Sequence, residues 1–439
     1  MNSGGPLVRA GRPLGGRFTP PGDKSITHRA CLFGLLAEGE TRIRGGNTGE
    51  DCARSLAAAE LLGAGVRREG AETVVLGTAM APRSDGAAID CGNSGTTIRL
   101  LAGIVAGRPG ECLLDGDASL RRRPMARVIE PLERMGAAVA PAEGGRPPLR
   151  VRGADLRGID YASPVASAQV ATCVLLAGLA AAGATTVTIP GPARDHTERM
   201  LPAFGVPLRV AGSPGGGRSV TVERAVPRGA SFAVPGDFSA AAFALAAAAA
   251  RPGAEVTAMG VSLNPTRTGL LDVLAAMGAG VEVSNAREEA GEPVGDVTVR
   301  GPERLLPFDV PPAWVPRLVD EVPAWVIAAS AAGGVSRVTG AAELRVKESD
   351  RIVALVRNLA RLGLRARELP DGLEVEGGRP CGGVVEADLD HRIVMAFAAL
   401  ATRADEPVGF DDASSVATSY PGFWADLAAL GAEVEGVPA

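Results

Sequence analysis

Lysine is nearly missing from this 439-residue chain. Of 45 basic residues only Lys24 and Lys347 are lysines, leaving 43 arginines. A chain that uses arginine almost wherever a surface cation would serve has little reason to keep lysine for solubility. Arginine is a planar fork that stays protonated, whereas lysine is a compact ammonium whose pKa shifts and which can pass a proton. Both lysines lie in dense polar clusters, PGDKSITHR and LRVKESDR. That placement marks them as parts of one active site for small phosphate- and carboxylate-bearing substrates. Aromatic residues are also scarce, at 3%, so the cores must be built from Ala, Leu and Val. Three histidines and no H-E-x-x-H pattern argue against a metal site. The six cysteines (Cys31, Cys52, Cys91, Cys112, Cys173, Cys381) form no C-x-x-C pair, so reduced, buried thiols are expected. The longest apolar run, Ala240 to Ala250, is well short of the roughly 20 residues that span a bilayer. The opening MNSGGPLVRAGRPLGG has no apolar core of a signal peptide, so a cytoplasmic protein with no membrane partner is expected. A net charge of −5 provides no basic field for nucleic acid.

What is present is repetition. Six times an Ala/Leu-rich stretch ends in an apolar residue plus Gly and is followed by a β-like run. The glycines are Gly63, Gly136, Gly205, Gly278, Gly363 and Gly431. Their spacing, roughly 70 to 85 residues, is that of a supersecondary unit larger than common solenoid repeats. Gly there is expected to end a helix, with a strand following. Between these signals, polar clusters open apolar helices at PGDKS, CGNSGTT, ASAQ, PGDFS, VDEVP and LDHR. The pattern predicts an α/β protein of two similar domains, each of three repeated strand-helix units. The expected first domain spans 20–235, and the second comprises 1–19 with 236–439. A helix N-terminus carries unpaired N–H groups and partial positive charge, so helices opening at polar clusters suit anions.

Several clusters could carry chemistry. PGDKSITHR resembles the end of a phosphate-binding loop, but Asp23 before Lys24 would repel a phosphate, which argues against ATP-dependent phosphoryl transfer. CGNSGTTIR is a small-residue turn that lets backbone N–H groups approach an anion. Arg121, Arg122 and Arg123 offer a bidentate clamp for carboxylate or phosphate, or simply a solvated loop. ASAQ supplies Ser167 and Gln169, and ARDHTER supplies Arg194, Asp195, His196 and Arg199. Asp320 and Glu321 head an apolar helix, where ordinary capping is the simplest role. LRVKESDR packs Arg345, Lys347, Glu348, Asp350 and Arg351 together, and LDHR gives Asp390, His391 and Arg392.

Taken in order, PGDKS-x-x-x-R, GNSGTT-x-R, GDASL-x-x-RPM, SAQ, RDHTE, NPTRTG, VDE, ELRVKESDR and DHR resemble 5-enolpyruvylshikimate-3-phosphate (EPSP) synthases, from about Pro20 to Pro421. Each fragment is weak alone; their order and spacing are specific. GDASL, ASAQV, ARDHTERML and NPTRTGLL are closest in wording to the bacterial class II branch. The resemblance implies the enolpyruvyl transferase fold, an inside-out α/β barrel in each domain, with a two-strand hinge near Pro20 and Pro235. It implies transfer of the enolpyruvyl group of phosphoenolpyruvate to the 5-hydroxyl of shikimate 3-phosphate, with no cofactor or metal. It further implies that Lys24, Ser25, Arg29, Ser167, Ala168, Gln169, Arg194, Asp320 and Lys347 hold shikimate 3-phosphate. Lys24, Gly95, Arg123, Gln169, Arg351 and Arg392 would hold phosphoenolpyruvate. Asp320 would accept the hydroxyl proton, and Lys24 and Glu348 would handle the proton of the methylene carbon. A monomer inhibited by glyphosate, opening and closing with ligand, is the matching expectation.

The chain also departs from its relatives. Thr418 stands in SSVATSYPGF where many carry a lysine, and Ala168 replaces a hydroxyl residue of other branches. The rival UDP-N-acetylglucosamine enolpyruvyl transferases resemble the same fold but use a loop cysteine, and DGDASLRRRPM contains none. A non-catalytic anion-binding homologue is the remaining alternative.

Overall fold

The computed structural model describes residues 5–437. It contains six four-stranded sheets of one design. In the sheet that contains Ala88–Asp90, that strand runs parallel to Glu111–Asp115, which pairs antiparallel with Arg146–Arg152, which in turn pairs antiparallel with Ala138–Ala142. The same order recurs with Asp160–Ala162, Thr185–Ile189, Gly217–Val222 and Leu208–Ser213. Each repeat thus buries one face of a small sheet against helices and leaves the other to solvent.

The chain divides into two compact units. One comprises Gly22–Val234 with the short piece Glu288–Glu292; the other comprises residues up to Pro21, Pro235–Arg287 and Pro293–Ala439. Each unit contains three of the sheets and a core of its own. The helices within are apolar all round, which is the pattern of a helix buried on every side. All twelve residues of Phe238–Ala249 are buried, as are all eight of Val322–Ala329. In the Gly22–Val234 unit the corresponding helices are Lys24–Leu36, Gly95–Ala106 and Ala168–Gly178. Helices inside and sheets outside make this the inside-out α/β arrangement. Alanine dominates because helices packed this closely on one another leave little room for side chains.

Both repeat signals of the sequence have structural counterparts. All six signal glycines adopt positive φ, from 71° at Gly205 to 120° at Gly431, a conformation that other residues rarely adopt. Five of the six polar clusters supply a side-chain N-cap: Asp23, Ser94, Ser167, Asp237 and Asp390. The exception is VDEVP. There Val319–Glu321 forms a 3-10 turn and neither acid caps the helix. The ordinary-cap reading of Asp320 and Glu321 therefore fails, and both are buried for another reason. The arginines mostly lace the outer sheet faces, as with Arg42 to Glu40 and Glu69, and Arg300 to Glu255 and Glu282. Five cysteines are buried as expected and none is in a disulfide, but Cys381 is exposed. No helix among the described residues is long and apolar enough to cross a membrane.

Candidate active site

In the Gly22–Val234 unit, the N-termini of the three central helices carry most of the residues singled out in the sequence. Asp23 caps the first: its carboxylate accepts from Ile26 N at 2.9 Å. The acid that argued against a phosphate loop is therefore turned into the helix, and Lys24 begins the first turn. Lys24 Nζ reaches Asp51 Oδ2 at 2.5 Å, with the two side chains 18% and 6% exposed. Asp51 lies in the first turn of Glu50–Leu61, and it was not singled out in the sequence because EDCAR reads as an ordinary acidic helix start.

Arg29 is almost wholly buried, at 3% exposure. Its partners are all neutral: Nη1 donates to Ser25 O at 3.0 Å, Nε to Thr197 Oγ1 at 2.8 Å, and Nη2 to Thr172 Oγ1 at 3.0 Å. Burial pulls its pKa down to about 10, and the nearby Arg194 adds to the fall against the opposing pull of Glu198 and Asp23. A buried guanidinium with hydroxyl and carbonyl partners retains charge with which to attract an anion.

The second helix opens at Gly95, capped by Ser94. A methyl group at Gly95 would lie 2.7 Å from Nη1 of both Arg123 and Arg99. The glycine therefore lets two guanidinium groups close over the helix start. Of the three adjacent arginines, Arg121 turns out to Asp115, while Arg123 is buried and donates to Asn93 Oδ1 at 2.8 Å. At the third helix Ser167 caps Ala168–Gly178, and Gln169 bridges Arg99 Nη1 (2.7 Å) and Thr96 Oγ1 (2.9 Å). Arg99 stood inside a quoted motif but was not singled out; its i, i+4 spacing from Gly95 was the available signal.

The other unit gathers Asp320, Lys347, Glu348, Arg351 and Arg392. Lys347 Nζ lies 2.5 Å from Glu343 Oε1 and 3.4 Å from Asp320 Oδ1. Arg351, 1% exposed, is held by three carboxylates. Nε and Nη2 straddle Asp390 at 2.8 and 3.1 Å, Nη2 donates to Glu348 at 2.7 Å, and Nη1 stands 3.6 Å from Asp320. Burial works against the Arg351 cation, but Asp390 and Glu348 outweigh it and hold its pKa above the ordinary value. Burial would likewise push Asp390 up, yet Arg351 holds its carboxyl below the usual range. Arg392 donates to the Asp320 carbonyl and lies 3.8 Å from Glu321. Glu321 accepts from Ser239, which also accepts from Arg267 at 2.6 Å. These contacts explain why Asp320 and Glu321 are buried.

Chemically, the first cluster can hold a polyanion, and the second pairs carboxylates with cations close enough to exchange protons. Among the described residues no group of three His, Cys, Asp or Glu side chains is arranged to hold a metal ion. The family model described as EPSP synthase (3-phosphoshikimate 1-carboxyvinyltransferase) matches residues 8–427. A 3-phosphoshikimate 1-carboxyvinyltransferase of Anaeromyxobacter sp. (strain K) is 52% identical over 425 residues, which is 96% of this chain and 95% of that one. One from Alkalilimnicola ehrlichii is 48% identical over 424 residues, 95% of this chain and 93% of its own. Among solved structures, an EPSP synthase from Acinetobacter baumannii aligns with a TM-score of 0.85 at 39% identity, covering 98% of this chain and all of that one.

Proposed function

Because the chain belongs to the EPSP synthase family, we propose that it transfers the enolpyruvyl group of phosphoenolpyruvate to the 5-hydroxyl of shikimate 3-phosphate and releases phosphate. The observation that carries this reading is the buried Arg29, held by neutral groups beside Arg194 in a chain whose family substrate is a permanent anion. The UDP-N-acetylglucosamine reaction is not favoured, since the matching family is that of EPSP synthase and the Arg-Pro loop has no cysteine.

In the proposed reaction the 5-hydroxyl oxygen adds to C2 of phosphoenolpyruvate while a proton is added at C3. The resulting tetrahedral ketal then loses a C3 proton and expels phosphate. Asp320 takes the hydroxyl proton. Lys24, whose ammonium lies 2.5 Å from Asp51, supplies the C3 proton, and Glu348 serves as the carboxylate for its removal. Carboxylates and an ammonium suit these steps because their pKa values can be brought near the operating pH, which arginine does not allow. Ser25, Arg29, Ser167, Ala168, Gln169, Arg194 and Lys347 hold shikimate 3-phosphate. Arg123, Arg351 and Arg392 hold phosphoenolpyruvate, with Gly95 lining its place. Glyphosate, a small anion bearing a phosphonate and a carboxylate where phosphoenolpyruvate bears a phosphate and a carboxylate, competes with phosphoenolpyruvate. A cytoplasmic monomer accords with this reading. The test is phosphate release by the purified protein. Release that requires both substrates is expected, and no release with both present would overturn the assignment.

A further inference from the structure

Arg29 sits in a closed ring of hydrogen bonds whose proton directions are all determined. It can only donate, and it donates from Nε to Thr197 Oγ1 and from Nη2 to Thr172 Oγ1. The two hydroxyls lie 2.6 Å apart, and Thr172 Oγ1 donates its one proton to Ala168 O at 2.7 Å. Thr197 must therefore donate to Thr172. Both threonines are buried, at 0% and 2% exposure. The ring ties together three elements: Lys24–Leu36 carries Arg29, Ala168–Gly178 carries Thr172, and His196–Met200 carries Thr197. These elements begin within two residues of the other proposed ligands of shikimate 3-phosphate, namely Ser25, Ser167 to Gln169 and Arg194. The nearest acids are otherwise engaged. Glu198 is taken by Arg218 at 2.6 Å, Glu292 by His196 at 2.7 Å, and Asp23 by its own helix.

We propose that Thr172 and Thr197 are positioning residues for Arg29, neutral hydroxyls that fix its guanidinium without neutralising it, so that its charge is met by the bound shikimate 3-phosphate. The proposal rests on the functional reading above. A carboxylate in place of either hydroxyl would hold the arginine equally well but would compete with the ligand. A valine would keep the shape and leave the buried N–H groups without an acceptor.

The test compares Thr172→Val and Thr197→Val with Thr172→Ser and Thr197→Ser by steady-state kinetics in both substrates and by calorimetric titration with shikimate 3-phosphate. The valine variants should raise the KM and Kd for shikimate 3-phosphate about tenfold or more, with kcat and the phosphoenolpyruvate KM changed less than about threefold. The serine variants should restore wild-type values. If a valine variant does not fold, Thr197→Asp is read instead; it should weaken shikimate 3-phosphate binding while leaving the melting temperature at or above wild type. Unchanged binding in the valine variants overturns the proposal, as does a loss that falls equally on both substrates and follows melting temperature alone. A wild-type protein that does not bind shikimate 3-phosphate sinks the functional reading itself, a result separate from either.

Discussion

The two units carry arginines of opposite temper. In the Gly22–Val234 unit Arg29 is buried among hydroxyls and a carbonyl, and Arg123 is held by an amide. In the other unit Arg351 is equally buried but surrounded by Asp390, Glu348 and Asp320. Burial lowers the first cation's pKa and fails to lower the second's, because only the second has carboxylates in direct contact, close enough to outweigh desolvation. The lesson is a division of labour. On the proposed reading, the anion-holding site sets Arg29 on neutral groups, whereas the proton-moving site pairs acids with Arg351 and tunes both. Lys24 in the first unit differs from Arg29, an ammonium on a carboxylate, and it is the residue there assigned a proton.

That contrast can be broken at several points. The largest effect is expected for Lys24→Arg, which keeps the charge but removes a usable acid; kcat should fall by about 10²–10⁴, the range for lost general acid–base help, while calorimetry still detects shikimate 3-phosphate binding. Lys347→Arg should instead act mainly on binding, and identical behaviour of the two variants would erase the distinction drawn between them. Next comes Asp320→Asn. It should lower kcat by about 10² or more with the Kd of shikimate 3-phosphate within a few-fold of wild type, measured by single-turnover and titration experiments. If that variant loses binding and retains turnover, Asp320 belongs with the anion-holding residues.

A smaller effect is expected of Gly95→Ala. Its methyl would meet the tips of Arg99 and Arg123 at 2.7 Å, so both must shift, and both are the far ends of flexible side chains. The fold should survive with a raised KM for phosphoenolpyruvate and a larger rise in the glyphosate inhibition constant. Equal sensitivity of variant and wild type would remove Gly95 from that site. The smallest effect concerns acid. His28 is buried, and its pKa is well below the ordinary 6.5 because of burial, with Lys24 and Arg29 adding to the fall. It is neutral when folded and takes a proton when unfolded, so its contribution is present above that value and is lost as pH falls through the folded pKa. Unfolding free energy should drop between pH 7 and 5, by at most about 1.4 kcal/mol per pH unit from this group, read as a falling melting temperature, and His28→Gln should flatten the slope.

The repeats were legible because both signals are local. A glycine ending a helix and a polar side chain starting one depend on a few neighbouring residues. The cluster VDEVP misled for the same reason: by local chemistry Asp320 and Glu321 should cap, and only residues far along the chain, such as Lys347, Arg351 and Arg392, give them another role. Asp51 was invisible because an acid in a first helical turn is ordinary, and nothing in EDCAR announces a lysine 27 residues upstream in the sequence. The arginine triplet left two roles open, and the structure separated them by turning Arg123 inward and Arg121 to Asp115.

By itself, the sequence determined that Lys24 and Lys347 were retained among 43 arginines, that six similar units would form, and which motifs would begin their helices. The tertiary structure alone decided what each cation meets. Lys24 faces Asp51, Lys347 faces Glu343 and Asp320, and Arg29 faces two threonines from another repeat. The reason is physical. Helix ends and turns are set by short-range backbone sterics and hydrogen bonds, but the charge state and duty of a buried group are set by whatever long-range packing brings within a few ångströms of it.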